Sequence, residues 1–281
     1  MRSLILGLLL ALAFPAQAEI YNGTTIQGGG WNLTAPYLKP HREIKMRELW
    51  DSATADNLVD YSTIDTAWVT SFVAALPNTM TYEFDLEGTA TPNQGREDWW
   101  YDGSPATSVI LRRDMMQTIR DANPNINIGI YGIPDYKGVR ESRKAPGDAA
   151  AAQSMAGRMA NYKLVTDIVD TLYVTAYWNE GPNDIDKLPE WRAEVDMRIA
   201  LARLYTGKLP RVYVWHRGFN IVAPDEVAPE IFYEMLSYLS RKCVDIVFWA
   251  ESGDAEFEDW VKFALERHAT AGICIDPDCF E

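Results

Sequence analysis

The chain has 281 residues, of which 47% are hydrophobic and 23% charged, a globular balance that excludes a mostly disordered or collagen-like protein. Lys and Arg number 26 against 40 Asp and Glu, a formal net charge of -14, so the basic face that a nucleic-acid binder needs is not expected. Aromatics stand out, with 10 Trp, 14 Tyr and 9 Phe; Trp at this density offers flat faces on which a sugar ring can stack.

Residues 1–18 have the build of an export signal. Arg2 is a minimal basic start, Leu4 to Phe14 is apolar, and Ala16-Gln17-Ala18 is a small-residue cleavage site before Glu19. The apolar run is too short to span a bilayer, and no later stretch approaches the ~18 apolar residues that a membrane helix needs. The reading is therefore a signal peptide over 1–18 and one domain over 19–281, secreted or periplasmic in a bacterium, monomeric and not inserted in a membrane. A buried N-terminal helix is the alternative. Cys243, Cys274 and Cys279 cluster late in the chain. They allow one disulfide, most simply Cys274 with Cys279, and leave one cysteine over. There is no C-x-x-C pair, and His41, His216 and His268 are scattered singly, so neither a metal nor a cofactor is expected. Asp276 and Asp278 read as a solvated turn, with a calcium contact as the alternative.

From Glu19 onward, strand and helix patterns alternate. Ile20 to Gln27 is a candidate first strand leading into Gly28-Gly29-Gly30. Thr79 to Glu87 alternates with period two. Ile126 to Tyr131, Leu172 to Tyr177, Arg211 to Trp215, Asp245 to Trp249 and a short Gly272 to Ile275 are apolar runs bounded by turn residues. Helical stretches fall between them: Ile64 to Leu76, Ser108 to Asn123, Ala149 to Asp167, Trp191 to Tyr205, Pro229 to Arg241 and Phe257 to His268. Such alternation predicts an α/β fold with a parallel sheet, and strands that are nearly all apolar imply burial on both faces. The expectation is a single (β/α) TIM-type barrel of seven or eight strands, any eighth lying between Leu33 and Leu58. A doubly wound open sheet is the alternative, but no G-x-G-x-x-G follows a strand.

Barrels of this type carry their reactive groups where strands end and loops begin. The second strand ends Glu83-Phe84-Asp85-Leu86-Glu87-Gly88. Side chains alternate across a strand, so Glu83, Asp85 and Glu87 share one face, and Tyr82, Phe84 and Leu86 the other. The apolar set suits packing against helices, which turns the three acids inward. Burying three carboxylates costs several kcal/mol each unless they share protons or partners. Crowding like charges also raises one pKa, as a general acid near neutral pH requires. A strand with its acids solvated at a sheet edge is the other reading. The remaining strand ends bring Tyr131 with Asp135 and Tyr136, then Tyr177 and Trp178, then Trp215, His216 and Arg217, then Trp249, Glu251 and Asp254. Singly each fits core or rim packing. Together they would line one mouth with acids at its centre and rings around them, the composition of a carbohydrate cleft.

The run Glu83-x-Asp85-x-Glu87 resembles the D-x-D-x-E strand of family 18 chitinases, and its last three residues resemble the D-x-E of hyaluronidases. Leu172 to Tyr177 looks like the later chitinase strand that ends in a catalytic-site Tyr. Val247-Phe248-Trp249-Ala250 looks like the late strand whose Trp floors the reacting sugar. Two positions depart from the chitinase pattern: Glu83 replaces its first Asp, and Trp178 follows Tyr177 where Asp is usual. The resemblance implies a TIM-barrel glycoside hydrolase with a substrate-assisted mechanism on a poly- or oligosaccharide. Glu87 would protonate the leaving oxygen while the substrate's 2-acetamido oxygen attacks the anomeric carbon. Asp85 and Tyr177 would hold that acetamido group, and Trp249 would carry the ring.

Three alternatives stay open. Glu251 opposite Glu87 would make a two-carboxylate glycosidase, retaining at a carboxyl separation of ~5 Å and inverting at ~6.5–9.5 Å. A glycan-binding barrel without activity is the second. A hydrolase of some other ester or amide is the third, though no G-x-S-x-G turn supplies a serine nucleophile.

Overall fold

The computed structural model describes residues 20–22, 38–39, 41–45, 65–85, 107–133, 144–181, 183–217, 226–242, 244–248 and 264. In chain order they form β1 (Ile20–Asn22), β2 (Leu38–Lys39), β3 (His41–Lys45), α1 (Thr66–Ala74), β4 (Thr81–Asp85), α2 (Thr107–Ala122), β5 (Asn127–Tyr131), α3 (Ala149–Thr166), β6 (Thr171–Thr175), α4 (Leu188–Thr206), β7 (Arg211–Val214), α5 (Pro229–Arg241) and β8 (Asp245–Phe248). The expected Gly272 to Ile275 strand, the Phe257 to His268 helix (Ala264 excepted) and all three cysteines lie outside the described residues.

All pairings in the sheet are parallel, and the order is β2-β1-β8-β7-β6-β5-β4-β3. From β4 to β8 each strand lies beside its predecessor, with one helix between. A doubly wound sheet would reverse direction part-way; this order does not. These five strands form the wall of a half-barrel. The strand sought between Leu33 and Leu58 is present as β2 and β3, on either side of Pro40. Proline has no N–H to give to a ladder, which accounts for the break between the two segments.

Strand alternation sorts the side chains into two clusters. Tyr82 and Phe84, Ile128 and Ile130, Leu172 and Val174, Val212 and Val214, and Ile246 and Phe248 join the main core. Helix residues meet them there: Val69 and Val73 of α1, Met116 and Ile119 of α2, Tyr162 and Val165 of α3, Val195 and Ala202 of α4, and Phe232 and Leu236 of α5. The intervening strand residues Tyr173, Tyr213 and Val247 form a second cluster, flanked by Tyr131 and Tyr177. The main core is thus the layer between sheet and helices, and the second lies within the curl of the sheet.

Local chemistry fixes the helix ends. Asp65 caps α1, its carboxylate accepting from the Ala67 and Trp68 N–H groups at 2.9 and 3.1 Å, and Asp148 caps α3 in the same way on Ala150 and Ala151. A proline opens α4 and α5, where its missing N–H costs nothing. Gly207 closes α4 at φ 69°, a left-handed position where a Cβ would be strained. At the amino ends of β5 and β6, Arg120 of α2 donates to the Ile126 and Ile168 carbonyls, each at 3.1 Å, and to Asp170 at 2.6 Å. Asp170 in turn accepts from the Ile128 N–H at 2.9 Å. That clamp fixes where both strands begin, and hence which residues reach their carboxyl ends.

Candidate active site

The carboxyl end of β4 is the centre of the site. Glu83 is fully buried and Asp85, the last residue of the strand, is 8% exposed. The apolar neighbours Tyr82 and Phe84 occupy the helix side, so the two acids sit on the inner face, as the alternation predicts. The Tyr82 hydroxyl donates to the Pro77 carbonyl at 2.8 Å. Burial raises its pKa above the ordinary 10.0, against the lowering effect of Arg42.

Glu83 accepts a hydrogen bond from the Tyr213 hydroxyl. Tyr213 belongs to β7, three strands from β4 in the sheet order. On a flat sheet those strands would stand about 14 Å apart, so the bond itself reports that the wall curls and its inner side chains meet. Tyr131, the last residue of β5, stands edge-on to Tyr213 with ring centroids 5.6 Å apart and planes at 88°. Tyr173 of β6 is tilted against Tyr213 at 5.9 Å. The Tyr173 hydroxyl accepts from Nη1 of Arg211 at 2.8 Å, and Nε of Arg211 lies 3.4 Å from Asp245.

At the mouth, Tyr177 lies two residues beyond β6, half-buried beside the inner cluster, and meets Trp215 edge-on at 6.3 Å. Trp215, just past β7, is 1% exposed. Beside them a small recess, with room for little more than a water molecule, is lined by Thr175, Tyr177, Asn179, Trp191, Glu194 and Arg198 among others. Its wall is fixed by the Trp191 ring N–H donating to the Ala176 carbonyl at 3.1 Å and by an Arg198–Glu194 ion pair at 2.7 Å.

The structure therefore links Glu83 to Tyr131 through Tyr213 and sets Tyr177 against Trp215, with Asp85 on the same strand face as Glu83. Trp178, expected at the mouth, instead lies fully buried in the main core, with its ring N–H donating to the Gly181 carbonyl at 2.8 Å. It follows Tyr177 in sequence, and the alternation that turns Tyr177 inward turns Trp178 toward the helices. Glu87, Tyr136, Trp249 and Glu251 lie outside the described residues. Among the described residues no group of three or more His, Cys, Asp or Glu is placed to hold a metal ion, and no helix is long and apolar enough to cross a membrane.

Sequence reasoning missed two parts of this region. Tyr173, Tyr213 and Arg211 pass for members of apolar runs, although their one-residue offset from Val174, Val212 and Val214 already marks a separate face. The second is β3, which the sequence places no more closely than between Leu33 and Leu58. Its Glu43 and Lys45 are the register partners of Glu83 and Asp85, so charged residues flank the acid strand at both register positions. The only apolar residue in His41–Lys45 is Ile44, too weak a pattern to announce a strand.

No protein-family model matches the chain, and no curated protein matches it in sequence. Solved structures do match. Bee venom hyaluronidase in complex with a hyaluronic acid tetramer is similar to 81% of this chain over 83% of its own, with a TM-score of 0.53 and 13% identity. A glycoside hydrolase family 5 enzyme from Prevotella bryantii, in complex with a xyloglucan tetradecasaccharide, gives a TM-score of 0.46 at 13% identity, covering 83% of this chain and 71% of that one. The Legionella pneumophila ChiA C-terminal domain gives 0.46 at 12% identity, covering 92% and 100%. The structural neighbours are glycoside hydrolases with TIM-like folds, and the likeness is one of fold.

Proposed function

We propose that the chain is an exported glycoside hydrolase acting on a glycan that contains 2-acetamido sugars, with Glu87 as general acid and Asp85 assisting. The observation that carries this reading is the inner face of β4. Two acids there are withdrawn from water at the carboxyl end of a parallel strand; Glu83 is bonded to Tyr213, whose cluster Tyr131 and Tyr177 border, with Trp215 against Tyr177. Carboxylates are rarely buried for stability alone, while a sugar cleft needs acids at its centre and rings around it. The acetamido preference rests on the likeness of Glu83-x-Asp85-x-Glu87 to the chitinase strand. In that scheme Glu87 gives its proton to the leaving glycosidic oxygen as the acetamido oxygen bonds to the anomeric carbon. Asp85 and Tyr177 orient the acetamido group, and Trp249 floors the sugar. Water then opens the cyclic intermediate and returns the proton to Glu87.

The barrel is proposed to close as a ring of seven strands. β2 pairs with β1, β3 pairs with β4, and only Pro40 separates β2 from β3. β1 also pairs directly with β8. Export rests on the signal-like residues 1–18.

The test is release of reducing ends from a panel of glycans, wild type against Glu87→Gln. The substitution keeps the shape of the side chain and removes its proton, so cleavage should drop by about 10²–10⁴-fold with melting temperature and glycan affinity near wild type. Full activity in Glu87→Gln would remove Glu87 from the role. Glycan binding with no turnover by the wild type would identify a binding barrel instead.

A further inference from the structure

We infer that Trp191 is a positioning residue for Tyr177: reaching from the first turn of α4, its ring N–H holds the Ala176 carbonyl and so fixes the direction in which Tyr177 leaves the sheet. The inference deepens the glycosidase reading and rests on it for the role of Tyr177. One step beyond β6, the Ala176 N–H still bonds to β7, at the Tyr213 carbonyl 2.8 Å away. The Ala176 carbonyl is met from the helix layer, by the Trp191 ring N–H at 3.1 Å. A peptide group is planar. That carbonyl belongs to the plane joining Ala176 to Tyr177, so the indole bond sets the tilt of the plane and with it the course of the Tyr177 backbone.

Both partners are withdrawn from water, Trp191 at 7% exposure and Ala176 at 2%. Phenylalanine would fill much of the same place against the Tyr238 ring. What tryptophan adds is an N–H, and a buried N–H needs an acceptor. Ala176 and Trp178 both belong to the main core, while Tyr177 between them borders the inner cluster and meets Trp215 edge-on. Side chains thus change sides at each of these three residues, and a turn of the peptide at Ala176 passes straight to the Tyr177 ring. On α4 the residues Trp191, Glu194, Val195 and Arg198 stand at helical spacing along one stripe, and all four line the recess beside Ala176 and Tyr177. Glu194 and Arg198 pair with each other, and Trp191 addresses the strand.

The recess bears on what happens when the bond is cut. It has room for little more than a water molecule, and a water entering there gives the Ala176 carbonyl a new donor, so the fold survives the change. The peptide plane then answers to an exchangeable water rather than to a ring seated in the core, and Tyr177 gains a second orientation. A phenol that orients a reacting group works within narrow limits, since a misplacement of ~1 Å can cost about 10²-fold in rate. A bond that served stability alone would leave Tyr177 where it is. Its loss would appear in the melting temperature and not at the mouth.

The experiment reads the ¹⁹F resonance of Tyr177→3-fluorotyrosine in the full chain, with Trp191 intact and with Trp191→Phe. A second label, Tyr205→3-fluorotyrosine in the last turn of α4, reports on the helix itself. In Trp191→Phe the line from Tyr177 should shift or broaden while the line from Tyr205 stays in place. On a cleaved glycan, kcat should fall by about tenfold, no further than in Tyr177→Phe, and KM should change less. Tyr177→Phe combined with Trp191→Phe should lose no more kcat than Tyr177→Phe alone, because both act through one group. An unmoved Tyr177 line in a folded variant overturns the inference. So does a moved line with undiminished kcat, a Tyr205 line that moves as much, or losses that multiply in the double variant. If Trp191→Phe does not fold, Trp191→3-benzothienylalanine keeps the shape of the indole with sulfur in place of its N–H, and the same outcomes decide. A Tyr177 line that moves in a protein that cleaves no glycan would sink the glycosidase reading and leave the positioning of Tyr177 standing.

Discussion

Tyr177 and Trp178 are neighbours in sequence and have opposite fates. Tyr177 borders the inner cluster and faces Trp215, whereas Trp178 is buried on the helix side with its ring N–H on Gly181. Their variants should separate accordingly. Trp178→Ala opens a large core void and should cost about 3–5 kcal/mol of stability, while the protein that remains folded binds glycan as wild type does. Tyr177→Phe loses one hydroxyl and should keep its melting temperature while turnover slows by about tenfold or more, as expected where a polar group is aimed at the transition state. Melting curves beside glycan affinity and kcat make the comparison. A Tyr177→Phe variant with undiminished kcat would remove the hydroxyl from the mechanism. At this scale the sequence carried much of the information. Alternation along Thr81–Asp85 was enough to place Glu83 and Asp85 inward and Tyr82 and Phe84 outward. The same rule, carried past the end of β6, would have assigned Trp178 to the core; grouping it with Tyr177 as a strand-end aromatic ignored the pleat. The cross-sheet bond from Tyr213 to Glu83 was not legible, because it joins strands that only the curl of the sheet brings together.

Among the elements, the helices were the most legible and β3 the least. α5 spans Pro229–Arg241, as its opening proline and its closing basic residue announce. α1 begins at Thr66 because Asp65 stops the helix there by capping it, and only the capping chemistry marks that boundary. The seam between α4 and α5 makes a further prediction. The Tyr238 ring packs against Trp191 at 5.9 Å, with Arg192, Arg241 and Lys242 lying over it. Burial, then a hydrogen bond with Asp196, raises the Tyr238 pKa well above its ordinary 10.0. The folded state therefore keeps its phenol proton after the unfolded chain has lost it. Stability from this group is present below pH 10 and declines as pH rises beyond it. Thermal melts from pH 8 to 11 should show a steeper alkaline loss in wild type than in Tyr238→Phe, whereas parallel profiles would mean that the Tyr238 proton is not linked to folding.

For the molecule as a whole, the strand order follows chain order from β3 to β8, and then the first strand lies beside the last. Alternation of strand and helix was sufficient to foresee the parallel sheet, since parallel neighbours need a crossover and a helix is the usual one. How the sheet's edges are arranged was less visible, because it depends on β1, β2 and β3, which are short and carry few apolar residues. That arrangement also bears on how the chain acquires its shape. β4 through β8 assemble from contacts between successive elements, but Ile20–Asn22 must find Ile246–Phe248 from the far end of the chain. Closing so long a loop is entropically unrewarded until both surfaces exist, and pairings of that kind form slowly. In refolding followed by pulsed hydrogen exchange, amides of β5 and β6 should gain protection before those of β1, and simultaneous protection would mean that the two ends meet at the start. A ribosome that releases the chain from its amino end thus holds back the partner of β1 until β4 to β7 have emerged. β1 emerges before its partner and is the last to find its place, and for that interval the sheet keeps an unfinished edge.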